Sequence, residues 1–132
     1  MRVLITGASG FIGRHLIDIL DQDNHEIHAI YNLNKPSNDL KKVNWHQLNL
    51  FQDHQVKQFM ENIKPTHVIH LAWYTEHGKF WNSEKNKDWV NATIKLFKEF
   101  KKLNGIKFIS SGTKAEYFDG EFSHEKIHHQ SI

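Results

Sequence analysis

Cysteine is absent from the chain, which excludes disulfides, thiolate metal sites and a cysteine nucleophile. No apolar run approaches the roughly 18 residues that cross a bilayer. The first residues enter a strand-like segment with no signal-peptide pattern, so a cytoplasmic setting without a membrane partner is expected. Charge of one sign is also scarce. The net charge is only +2 and lysines are interspersed with glutamates, so the pI of 8.8 gives no argument for a nucleic-acid partner. Internal repeats and low-complexity linkers are missing too. What remains is a chain of 132 residues with 39% hydrophobic content, enough for one domain with its own core.

The most informative stretch runs from Arg2 to Leu20, with glycines at 7, 10 and 13. Val3, Leu4 and Ile5 form a short apolar run of the kind buried on both faces of a parallel sheet. From Ile12 the apolar residues switch to helical spacing, which places Leu16, Ile19 and Leu20 on one side. The glycines fall at the junction. Gly7 allows a sharp turn off the strand, Gly10 removes a side chain where a pyrophosphate approaches, and Gly13 allows the helix to pack closely on the sheet. The positive end of that helix then faces the anion. This placement predicts dinucleotide binding. The spacing Gly-x-x-Gly-x-x-Gly, with Thr6 in front and Phe11-Ile12 before the third glycine, resembles the extended short-chain dehydrogenase/reductases, the NAD-dependent epimerase/dehydratase group. The resemblance implies cofactor contacts at Gly7, Ser9, Gly10, Phe11, Ile12 and Gly13.

Further along, Glu26–Tyr31 reads as a second strand, followed by Asn32 where dinucleotide folds often carry an acid for the ribose hydroxyls. Asn32 can bond a hydroxyl without repelling a phosphate, and Arg14 and Lys35 lie within reach of a 2′-phosphate. These residues favour NADP over NAD, although Lys35 reads equally well as a solvated loop lysine. A third strand is expected over Trp45–Leu48. The following Asn49-Leu50 stands where the family places an Asp-Leu pair beside the adenine. Asp53 opens a helix with Val56, Phe59, Met60 and Ile63 on its core face, stopped by Pro65.

The fourth strand is expected over His67–Ala72. Its end, His70-Leu71-Ala72-Trp73, resembles the family's His-Leu-Ala-Ala segment, which implies cofactor contacts at Leu71, Ala72 and Trp73. His67 and His70 invite a metal reading, but no carboxylate completes a set, and no metal is expected. The loop from Trp73 to Asn82 carries four aromatics, which could stack on a base, cover a substrate or anchor the loop. Ser83 suits an N-cap for a helix to about Leu103, with Trp89, Thr93, Leu96, Phe97, Phe100 and Leu103 as its stripe. Asn104-Gly105 closes it. Asn91 matches an Asn of the family's corresponding helix, which implies a cofactor contact and a possible homodimer through residues 83–103. A stripe of that width also suits a helix that covers a sheet.

A fifth strand over Ile106–Ser110 leads into Ser111-Gly112-Thr113. In the family a Ser or Thr here bonds the reacting sugar oxygen, which implies a catalytic role for Thr113, four residues before Tyr117, with Ser111 second. Gly112-Thr113-Lys114-Ala115-Glu116-Tyr117 also resembles the CDP-abequose-synthase-like branch. The family's acid/base is the Tyr of a Tyr-x-x-x-Lys pair, where the ammonium stabilises the phenolate. Tyr117 lacks that lysine, since residue 121 is Glu121, and Tyr31/Lys35 matches only by coincidence, over the adenosine half. His124 and His128 in the tail have helical spacing but no third metal ligand of known position.

The architecture expected is a single Rossmann-type domain over residues 1–132, a parallel sheet ordered 3-2-1-4-5 with helices on both faces and right-handed crossovers. Short of the family's substrate domain, it should expose apolar surface near the fifth strand, which predicts marginal stability or self-association. The function implied is the NAD(P)-binding domain of a nucleotide-sugar epimerase, dehydratase or reductase, inactive without its Tyr-Lys pair. The alternative is a non-catalytic NAD(P) sensor or protein-interaction module. A P-loop kinase or GTPase is excluded because no Gly-Lys-Ser/Thr follows the glycines. A methyltransferase would carry an acid where Asn32 stands.

Overall fold

The computed structural model describes residues 1–37, 42–74 and 84–112. In chain order the described elements are β1 (Arg2–Thr6), α1 (Phe11–Gln22), β2 (Glu26–Tyr31), β3 (Val43–Gln47), α2 (Asp53–Ile63), β4 (His67–His70), α3 (Lys85–Lys102) and β5 (Lys107–Ser110). The strands form one parallel sheet in the expected order, β3-β2-β1-β4-β5. β1 is central because its apolar run can be covered on both faces. Val3 pairs with Ile27 on one side and His67 on the other, and Val3, Leu4 and Ile5 are buried.

Period-two alternation divides the core into two layers. Leu4, Ile30 and Val68 pack with Val56 and Met60 of α2 and Ala92, Leu96 and Phe100 of α3. Val3, Ile5, Ile27 and Ala29 point the other way, onto Ile17 of α1. No described helix is long and apolar enough to cross a membrane.

Several boundaries differ from expectation. β3 starts at Val43 rather than Trp45 because Val43 and Trp45 together pack against the α1-side core, an alternation that the intervening Asn44 obscures. Leu48 lies beyond the strand, still bonded to Tyr31 O through its amide (3.0 Å). β4 stops at His70, because the amide of Ala72 turns to the Thr6 hydroxyl (3.2 Å) instead of a neighbouring carbonyl. β5 begins at Lys107 and α3 at Lys85, with Glu84 in the cap position; Ser83 lies outside the described residues.

The inward face of α1 also differs. Gly13 and Ile17 are buried, with Leu16 and Leu20 partly so, whereas Ile12 and Ile19 are 63% and 61% exposed. Gly13 sets this rotation. A Cβ there would lie 2.5 Å from the Gly7 carbonyl oxygen and 2.6 Å from Ala8 Cα, so this side of the helix faces inward. The close approach is therefore between the helix and its own preceding loop. α2 buries Val56 and Met60 and ends ahead of Pro65 at Lys64, whose left-handed backbone (φ 50°) returns its amide to Met60 O (2.8 Å). α3 carries the expected stripe with Ala92 added to it, and ends at Lys102 with Leu103 as its cap, followed by left-handed Asn104. Ile106 and Ile109 are exposed at the β5 edge, as expected for this end of the sheet.

Candidate functional site

The carboxyl ends of β1, β2 and β4 open into a cleft, the position at which open α/β sheets bind ligands. Its foundation is Gly7. With φ at +67°, this residue turns the chain off β1, and a Cβ there would sit 2.7 Å from both Leu71 C and Ala72 N. The loop after β1 and the segment after β4 thus meet backbone to backbone, which no other residue type would allow. Gly10 N–H closes the loop on Gly7 O (3.0 Å), and Gly10 occupies the N-cap of α1. That cap has no side-chain bond and the first turn of α1 carries no acid, leaving the positive helix end available to an anion.

Two adjoining cavities share Gly7, Ser9, Ala72 and Trp89 as a common wall. The first, about 160 Å³, is lined beyond these by Asn32, Asn49 and Leu50, together with Ile30, Tyr31, Leu48 and Phe51. The second, about 450 Å³, adds Gly10, Phe11, Ile12, Gly13, Leu71, Trp73 and Ser111. The sheet therefore brings the glycine loop, the end of β2, the Asn49-Leu50 pair, the Leu71–Trp73 segment and Ser111 to one place. Among the described residues, none of the lining side chains is charged, so an anionic ligand would meet no carboxylate from them.

Three expected residues stand apart. Arg14 is exposed, its Nε donating to Ser9 O (2.8 Å) beside the loop. Lys35 is exposed and lines neither cavity. Asn91 is exposed on α3 and lines a separate groove with Phe51, Asp53, Asp88 and Lys95. Thr113 lies outside the described residues, as do Tyr117, Glu121 and the histidines of the tail.

Local bonds fix the lining. Gln47 Nε2 donates to Asn32 O (3.1 Å), tying β3 to the end of β2. Asn49 Oδ1 accepts the Phe51 amide (3.0 Å), a short Asx turn that shapes the approach to α2. Trp89 packs edge-on to Phe51 (4.8 Å between centroids) and faces Trp73 at 6.4 Å. Tyr74 lies under Lys85 Nζ at 4.9 Å, so the two described aromatics at the start of the 73–82 loop pack onto α3 while Trp73 also lines the larger cavity. Tyr31 belongs to the smaller cavity, away from Ser111, in keeping with its separation from any acid/base role.

Behind the cleft, two residues of the quoted motifs, Thr6 and His70, join Thr93 in a group that motif reading does not bring together. Thr6 and His70 are buried, their Oγ1 and Nδ1 atoms 2.6 Å apart, and Leu71 N–H donates to Thr6 O (3.1 Å). On its other side, His70 Nε2 lies 2.8 Å from Thr93 Oγ1. Burial lowers the pKa of the imidazole to about 4, so it is neutral near pH 7. Ser111 N–H donates to His70 O (3.1 Å), carrying β5 into the cleft. In the sequence Trp89 reads as part of a helix stripe and Tyr31 as the end of a strand over the adenosine half, while Phe51 carries no signal. Their place in the lining depends on how α3 and β2 cross the sheet.

This donor set suits a dinucleotide: an uncapped helix end, glycines where side chains would intrude, and an apolar cleft with a few amides. Comparison with known proteins agrees. Residues 3–132 match the family described as NAD dependent epimerase/dehydratase. The UDP-glucose 4-epimerase of Schizosaccharomyces pombe is 27% identical over 130 residues, covering 89% of this chain and 36% of that protein. The structure of Bordetella bronchiseptica WbmG in complex with NAD and UDP superposes with a TM-score of 0.69 at 22% identity, over 83% of this chain and 37% of that one. A monomeric L-threonine 3-dehydrogenase from a metagenome gives 0.68 at 26% identity, over 80% of this chain and 34% of the other. The chain thus spans little more than a third of the length of these proteins.

Proposed function

The chain belongs to the NAD dependent epimerase/dehydratase family, and on that premise we propose that its cleft binds a nicotinamide dinucleotide as the cofactor domain of a nucleotide-sugar epimerase, dehydratase or reductase. The observation that carries this is Gly7, whose left-handed turn against Leu71–Ala72 opens an uncharged cleft at the start of α1. The pyrophosphate lies over Gly10 at the helix end. The adenosine half takes the smaller cavity beside Asn32, Asn49 and Leu50, and the nicotinamide half the larger one beside Ala72, Trp73 and Ser111.

The nucleotide-sugar substrate rests on the relatives, one a UDP-glucose 4-epimerase and one solved with NAD and UDP. When bound, the nicotinamide supplies hydride exchange at a sugar carbon. Thr113, or Ser111 in its place, bonds the reacting sugar oxygen. Tyr117 is not that family's acid/base, since residue 121 is Glu121 and not a lysine, so only dinucleotide binding is proposed for the described residues. With no carboxylate at Asn32 to repel a 2′-phosphate, NADP is accepted alongside NAD, and Arg14 and Lys35, both exposed outside the two cavities, are the cations proposed to reach that phosphate.

The test is a calorimetric titration of the chain with NADH and, separately, NADPH. Saturable binding that weakens at least tenfold on Gly10→Asp supports the site, because a carboxylate would face the pyrophosphate. Selective loss of NADPH binding in Lys35→Gln and Arg14→Gln supports the 2′-phosphate assignment. Failure of both dinucleotides to bind refutes the proposal.

A further inference from the structure

Thr6, His70 and Thr93 line neither cavity, yet their side chains form one continuous run of hydrogen bonds behind the shared wall. Ala72 N–H donates to Thr6 Oγ1 (3.2 Å), Thr6 Oγ1 meets His70 Nδ1 (2.6 Å), His70 Nε2 meets Thr93 Oγ1 (2.8 Å), and Thr93 Oγ1 donates to Trp89 O (2.8 Å). The directions follow from chemistry. The Trp89 carbonyl only accepts, so the Thr93 proton goes to it and Thr93 oxygen must accept from His70. Nε2 therefore carries the ring hydrogen, assigned here from the network. Nδ1 is then bare and takes the Thr6 proton, leaving Thr6 oxygen to accept the Ala72 amide.

One tautomer of one neutral ring satisfies every group in the run. The opposite tautomer would aim an N–H at Thr6, leaving the Thr6 proton without an acceptor in the run, and would set a bare Nε2 against Thr93, whose proton is already on Trp89 O. The run ends at Ala72 and Trp89, two of the four residues that both cavities share. Thr6 and His70 are shielded from water, so solvent offers little replacement for a lost bond.

We infer that His70 is a positioning residue that, through Thr6 and Thr93, fixes Ala72 and Trp89 across the wall of the cleft and so sets its affinity for the dinucleotide. This rests on the cofactor-binding function proposed above. Among the described residues, the groups that meet the ring are Thr6 of β1, Phe108 of β5 and Thr93 of α3, none of which is charged. The ring therefore works as a neutral, two-sided hydrogen-bond bridge.

The experiment is titration of the chain with NADH near neutral pH, alongside thermal melts. Thr93→Val retains shape but removes the hydroxyl, Thr93→Ser keeps it, and His70→Phe retains a buried ring without nitrogens. Loss of one buried bond predicts about tenfold weaker NADH binding in the Val and Phe variants, with no further loss when both are combined. Thr93→Ser should bind as the parent does, a rescue that loss of packing alone would not produce. Should His70→Phe fail to fold, the Val and Ser variants decide the matter. A folded Thr93→Val that binds NADH as tightly as the parent overturns the inference while the cofactor-binding function stands. A parent chain that binds neither NADH nor NADPH removes both.

Discussion

At Gly7, backbone conformation and close approach act on the same atom. A methyl group there would face left-handed strain and meet the backbone of Leu71 and Ala72 at 2.7 Å, with no flexible side chain to yield. Gly7→Ala is expected to cost about 2–4 kcal/mol, read as a lowered midpoint in urea unfolding. Gly10 is different. Its added Cβ would have one near neighbour, Gly7 O at 3.2 Å. Gly10→Ala should therefore cost less than about 1 kcal/mol in the same measurement while weakening dinucleotide binding. His70 makes a prediction in pH. Its folded pKa of about 4 lies below the ordinary 6.5 because of burial. As pH falls through 6.5 the unfolded chain gains the proton first, so this contribution is fully present above 6.5 and is lost towards pH 4. Its size is about 3 kcal/mol. His46 and His67 are lowered in the same sense, mainly by burial. The His70 share is isolated by comparing urea unfolding of the parent and His70→Phe from pH 7 to pH 5, where the variant should show a shallower decline.

At the scale of the element, α1 shows how a motif overrides a periodicity. Ile12, Leu16, Ile19 and Leu20 make a plausible apolar face, yet the contact of Gly13 with the glycine loop turns the helix so that Ile17 becomes its anchor. Ile17→Ala should then destabilise by about 2–4 kcal/mol, and Ile19→Ala by less than about 0.5 kcal/mol. Chemical denaturation of the two variants checks this, and equal losses would contradict the observed rotation. β3 offers a similar lesson in a weaker signal. An edge strand covered mainly through Val43 and Trp45 shows little alternation in sequence, and pairing with β2 sets where it starts.

For the whole molecule, the uncovered apolar residues indicate where contacts with other surfaces would form. On α3, Val90 and Ile94 are 44% and 45% exposed, one turn apart, on the helix expected to support a homodimer. Ile106 and Ile109 add a second exposed group at the β5 edge. Sedimentation should show concentration-dependent association. Val90→Glu with Ile94→Lys should reduce it if α3 is the contact, whereas Ile109→Lys should reduce it if the sheet edge is. An association that neither change affects would exclude both surfaces.

The sequence by itself determined the strand-turn-helix at the glycines, which follows from local rules: a β-branched run, glycine at a strand exit, and helical spacing. The parallel order of the sheet and the segments that bound the cleft were legible through the family resemblance that the glycine spacing carries. Tertiary structure decided what local rules do not carry. It turned α1 through Gly13, placed Trp89 and Phe51 in the lining, set Asn91 in another groove, and joined Thr6, His70 and Thr93, residues far apart in the chain, into one hydrogen-bonded run. The physical reason is that rotation of a helix and pairing of buried polar groups depend on which surfaces meet, and that is fixed only when the sheet is assembled.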